Sequence, residues 1–95
     1  MAPQPTWKAH DTSGELTTAT QDRLPESVFA FPQARKEPLT SATHVRNALA
    51  RFDQVKGVSD ADRELAFANI MAAAKHYGVR MGEQSWKELM HEPRP

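Results

Sequence analysis

The sequence predicts a mainly α domain, three helices with a short extended or hairpin-like segment packed on them, with a small α+β arrangement as the alternative. Three observations carry that reading. Two stretches, 41–55 and 59–77, repeat apolar residues at spacings of three and four. Between turn signals lies Val28-Phe29-Ala30-Phe31, a run with strand propensity that stops at Pro32. Ninety-five residues with 39% apolar side chains suffice for one core and not for a two-lobed enzyme.

Residues 1–22 read as a flexible polar leader, because Pro3, Pro5, Gly14, Thr17, Thr18 and Thr20 break every period. With Trp7 and Leu16 as its large apolar residues, it cannot offset an ordering cost of about 1–2 kcal/mol per residue. Trp7 is the open question: it either docks on the domain or stays free as a contact for a partner. The domain proper spans 23–92, and 93–95 form a tail.

Leu24-Pro25-Glu26-Ser27 is a turn signal, and the extended run after it places Phe29 and Phe31 on one face, to pack on the helices. Pro38 confines any returning strand to an edge or an irregular loop. Thr40 and Ser41 are alternative caps for a helix over 41–55, whose stripe is Val45, Ala48, Leu49, Phe52 and Val55, with Gly57 ending it. Ser59, Asp60 and Asp62 open the second and central helix, over 59–77. Gly78 fits its left-handed close, with Val79 packing back on Ala74. Trp86, Leu89 and Met90 at helical spacing, with Glu83 four residues before Lys87, predict a short third helix over 83–91. The expected core is Phe29, Phe31, Leu39, Val45, Leu49, Phe52, Leu65, Phe67, Ile70, Met71, Ala74, Tyr77 and Val79.

Three elements in fixed order, S-x-F-A-x-P at Ser27–Pro32, R-K-x-P-L at Arg35–Leu39 and H-V-R-N-A-L-A-R at His44–Arg51, carry a family resemblance that continues through Ala72–Val79. Over roughly residues 16–79 the chain resembles a small domain of unknown function found in bacterial and bacteriophage proteins. The resemblance implies a fold and a phage or genome-maintenance setting; it brings no activity or ligand to these positions.

The chemistry with the most content is a donor-rich patch, Arg35, Lys36, His44, Arg46, Asn47 and Arg51, formed if the loop before the first helix folds back. It reads as a site for an anion or an acidic partner surface. The structural alternative has His44 and Asn47 donating to carbonyls of the 32–39 loop while the arginines pair with Glu37 or Asp53. A second candidate is an apolar contact strip, Trp86, Leu89 and Met90, which is otherwise core.

Other chemistries find little footing. Twelve Lys and Arg against twelve Asp and Glu give no large basic field. Zero cysteines exclude a thiolate zinc site, a disulfide framework and a cysteine nucleophile, and fit a cytoplasmic protein. His10, His44, His76 and His91 lack the spacing of adjacent metal ligands, and the isolated glycines at 14, 57, 78 and 82 form no phosphate loop. No apolar stretch reaches the roughly 18 residues of a membrane span. No catalytic, cofactor or metal residue is therefore assigned. The expected function is a non-catalytic module binding a macromolecule, a protein first. The alternative is nucleic-acid binding, with Arg35, Lys36, Arg46, Arg51 and Lys56 on phosphates.

Overall fold

The computed structural model describes residues 4–10 and 22–90. An antiparallel hairpin, β1 (Phe29–Phe31) and β2 (Lys36–Pro38), sets Phe29 opposite Pro38 and Phe31 opposite Lys36. Two α-helices follow, α1 (Ala42–Arg51) and α2 (Asp60–Tyr77). Single 3₁₀ turns occupy Glu26–Val28, Phe52–Gln54 and Trp86–Leu89. Among the described residues, two helices and a two-stranded sheet make the fold α+β, the arrangement held as the alternative, in place of three helices with a packed extended segment. β1 lies along α2, β2 along α1, and the helices pack on each other, so the core sits where the three meet.

The hairpin forms where the aromatic run requires burial. All three β1 residues are buried, including Ala30, so both faces of this strand are covered, not only the Phe29 and Phe31 face. Leu39 N–H donates to Val28 O at 2.7 Å, which leaves Pro38 at the intervening position, where a missing N–H costs no ladder bond.

Local signals set the helix ends. Ser41 Oγ accepts from His44 N–H at 3.2 Å to start α1. The helix tightens into its 3₁₀ turn after Arg51, short of Val55, and Gly57 at φ 74° completes the exit. At the start of α2, Ser59 Oγ accepts from Asp62 N–H at 3.1 Å while the Asp62 carboxylate accepts from Ser59 N–H at 3.0 Å. At its end Gly78 adopts φ 71° and Val79 N–H reaches back to Ala74 O at 2.8 Å, the Schellman closure.

Two expectations need correction. The third helix is only the turn Trp86–Leu89: the Glu88 carboxylate accepts from the N–H groups of both Gln84 and Ser85, at 2.7 and 3.1 Å, and closes a single turn. So short a segment lacks the length to repay helix nucleation, and burial of Leu89 anchors it instead. Met71, expected in the core, is 49% exposed. It stands about 100° around α2 from the buried Ile70, off the inward arc of Ala66, Phe67, Ile70, Ala73 and Ala74. Leu49, Tyr77 and Val79 are half-buried against that core, and Leu65 is half-buried.

Asn69 occupies the opposite flank of α2 and is wholly buried, because β1 and the N-terminal segment cover it. Its Nδ2 donates to Ala30 O at 3.0 Å, and its Oδ1 accepts from the backbone N–H groups of Thr6 and Trp7 at 2.7 and 2.9 Å. The Trp7 indole N–H donates to Leu39 O at 3.0 Å, and Lys8 N–H to Ser27 O at 3.0 Å. Trp7 therefore docks, and residues 6–8 are part of the fold. Residues 1–3 and 11–21 of the expected leader, with Pro3, Gly14, Leu16 and the Thr run, lie outside the described residues, as does the expected tail over 93–95.

Gly78→Ala should cost about 1–2 kcal/mol, because its φ is left-handed although no atom lies within 4 Å of the added methyl. Gly82→Ala, equally uncrowded and without a positive φ, should change stability by less than about 1 kcal/mol. Urea unfolding midpoints of the two variants check the contrast.

Candidate functional site

On α1, His44, Asn47 and Arg51 follow at spacings of three and four and share one face. Arg46 stands about 200° around the helix from His44, on another side. Because β2 packs on α1, it carries Lys36 and Glu37 to the Arg51 end, and the turn that follows adds Gln54, Val55 and Lys56. These six residues line an open cleft of about 280 Å³. Lys36, Arg51 and Lys56 are exposed, whereas Glu37 is half-buried between them.

The backbone at this corner is unusual. Arg35 and Glu37, neither of them glycine, have φ 53° and 58° and bracket Lys36. Burial pushes the Glu37 carboxyl above its ordinary value of 4.5, against the weaker opposing pull of Arg51 and Lys36. Among the described residues no hydrogen bond or close ion pair holds that carboxylate. Three cations around one poorly solvated acid can take up a ligand that combines an anionic group with a neighbouring hydrogen-bond donor.

The rest of the predicted patch is dispersed. Arg35 turns back into the domain, its Nη2 donating to Leu24 O at 2.7 Å and Asp22 O at 3.3 Å, with the guanidinium 4.8 Å from the Phe29 ring centre. His44 Nδ1 shares a 2.8 Å hydrogen bond with Ser41 Oγ and lies 3.4 Å from Thr40 Oγ1, and burial lowers its pKa below 6.5. Its partners are thus the hydroxyls at the helix start and not the carbonyls of the 32–39 loop. One of those carbonyls, Leu39 O, is taken by Trp7. Arg46 is exposed and Asn47 half-buried, apart from the cleft lining.

The apolar strip faces inward. Leu89 is buried, so it is not available as a contact, and Trp86 and Met90 pack half-buried on the core. Arg63, paired with Asp60 at 2.8 Å, lies 5.8 Å from the Trp86 ring centre and helps hold the segment down. Among the described residues no group of three His, Cys, Asp or Glu is placed to hold a metal ion, and no helix is long and apolar enough to cross a membrane. His91 lies outside the described residues.

Sequence reasoning missed Glu37 as a site residue, as well as the lining residues Gln54 and Val55. The available signal was an acid enclosed by Arg35, Lys36 and Pro38, a proline-limited turn with no glycine to relieve it.

A model described as a family of unknown function (DUF6582) matches residues 11–84, which takes in the hairpin, both helices and the whole cleft. The docked segment around Trp7 precedes the matched span. No curated protein and no solved structure matches the chain.

The two perturbed groups give opposite pH dependences. With the Glu37 carboxyl raised, the folded state holds more protons than the unfolded chain just above pH 4.5, so stability falls as pH rises through that window. With His44 lowered, the unfolded chain takes the proton first, and stability is lost as pH falls below 6.5. Glu37→Gln should therefore be more stable than the parent at about pH 7, with the difference shrinking towards pH 4.5, in denaturant titrations across that range.

Proposed function

We propose that this chain, which belongs to the DUF6582 family of unknown function, is a non-catalytic interaction module that binds a partner protein through the cleft between β2 and the end of α1. The observation that carries the reading is the set of three exposed cations, Lys36, Arg51 and Lys56, around the half-buried Glu37, whose carboxylate has no hydrogen bond or close ion pair among the described residues. An acidic side chain of the partner satisfies the cations, and an adjacent amide or amine donor satisfies Glu37. A polyphosphate backbone offers no such donor and would place its charge against Glu37. A formal net charge of zero adds no long-range attraction for nucleic acid, and with Arg35 turned inward and Arg46 on another side of α1 the described residues form no continuous basic stripe. The setting we assign with this function, a cytoplasmic protein of phage or prophage descent, rests on the motif resemblance and the cysteine-free composition.

Fluorescence anisotropy with a labelled peptide of alternating glutamate and asparagine, and with duplex DNA of equal charge, tests it. The peptide should bind more tightly than the DNA. Arg51→Glu combined with Lys56→Glu should weaken peptide binding by about tenfold or more, while Arg46→Glu changes it by less than about twofold. Tighter binding of the DNA, or an equal loss from Arg46→Glu, would overturn the reading in favour of phosphate contacts.

A further inference from the structure

We propose that the groove between the hairpin and α2 is a second recognition site, for a short segment of a partner protein in which serine or threonine precedes tryptophan, and that the chain's own residues 6–8 fill it as an internal ligand. The site is built before any ligand arrives. Asn69 is completely buried, and because Ala30 O can only accept, the 3.0 Å bond from Nδ2 fixes the orientation of the amide and aims Oδ1 at the groove. Once the groove empties, that carbonyl loses the N–H groups of Thr6 and Trp7, at 2.7 and 2.9 Å.

The contacts separate into a general grip and a selective one. Ser27 O and Asn69 Oδ1 hold three consecutive backbone N–H groups, of Thr6, Trp7 and Lys8, and those bonds are available to any segment that brings its N–H groups round in the same way. Selectivity comes from two side chains. The indole N–H donates to Leu39 O at 3.0 Å, a bond phenylalanine cannot make, while His76 and Tyr77 meet the indole edge-on with ring centres 5.5 and 5.9 Å away. The Thr6 hydroxyl accepts from Asn69 Nδ2 at 3.2 Å, which selects a hydroxyl residue before the tryptophan.

The occupant is separable from the site. Ser27, Ala30, Leu39, Asn69, His76 and Tyr77 all lie within the family span, and residues 6–8 lie before it. Thr6 and Lys8 are exposed and Trp7 is half-buried against the margin of the core, so the segment lies on the outside of the domain. An occupant on the same chain also acts as an intramolecular competitor against any partner in dilute solution. A partner must displace it, which makes the site selective for strong or clustered ligands. The inference involves none of the cleft residues and stands apart from the acidic-partner reading.

The test uses the full chain, as wild type and as Trp7→Ala, with a fluorescent peptide of the sequence Gln-Pro-Thr-Trp-Lys-Ala-His, residues 4–10. The peptide should bind Trp7→Ala saturably and the self-occupied wild type at least about tenfold more weakly. With phenylalanine in place of its tryptophan it should lose about fivefold or more, and Arg51→Glu should leave binding unchanged. If circular dichroism shows Trp7→Ala unfolded, the wild type with a protease site inserted between His10 and Asp22 replaces it: after cleavage the N-terminal piece should dissociate on dilution and be displaced by the peptide. Equal binding to wild type and Trp7→Ala, equal binding of the two peptides, or a cleaved piece that excess peptide fails to displace would overturn the proposal. So would a wild-type dimer that Trp7→Ala abolishes, since the groove would then belong to a second copy of the chain.

Discussion

A wholly buried side-chain amide is the constraint on which this structure depends. Leaving the polar atoms of Asn69 without partners in the interior would cost about 1–3 kcal/mol, a sizeable part of the stability of a domain this small. The fold meets that requirement by bringing together segments far apart in the sequence: the amide joins α2 to a carbonyl of β1 and to two N–H groups of the N-terminal segment. The indole of Trp7 then extends the tie to Leu39, the residue between β2 and the cap of α1. Four parts of the chain are thus referenced to one residue.

The position of the cleft follows from that tie. With β1 fixed on α2, the hairpin can return only along α1, which brings Lys36 and Glu37 to the Arg51 end. Departures from ordinary backbone geometry at Arg35 and Glu37, on either side of Lys36, let neighbouring residues where β2 begins serve different purposes. Arg35 satisfies carbonyls on the far side, Lys36 remains in water, and Glu37 is pressed towards the helix. Burial of a carboxylate without a close partner opposes folding, and a ligand that supplies a donor recovers part of that cost.

What the sequence made legible was local. Ser59 with Asp62, Gly78 with Val79, and the spacing of Val45, Ala48 and Phe52 each act within one or two helical turns, and each appears as read. The aromatic run likewise announced a strand packed through Phe29 and Phe31, though not the burial of Ala30 between them. What stayed hidden depends on distant chain. Asn69 lies in Phe67-Ala68-Asn69-Ile70, a polar residue in a helix apolar on several sides, and its partners are 39, 62 and 63 residues away. Ile70 has Met71 on one flank and Asn69 on the other at equal angles, so periodicity could not say which would be covered. The third helix failed on length, and the basic patch dispersed because the direction of Arg35 is set by the carbonyls of Asp22 and Leu24, 13 and 11 residues earlier.

Amide hydrogen exchange on the full chain, comparing wild type with Asn69→Ala, examines the central tie most directly. In the wild type the amides of Thr6 and Trp7 should be protected well beyond their unstructured rates, and in the variant that protection should vanish while amides in the middle of α2 remain slow. Thr6 and Trp7 amides that exchange freely in the wild type, or that stay equally protected without the Asn69 side chain, would contradict the account.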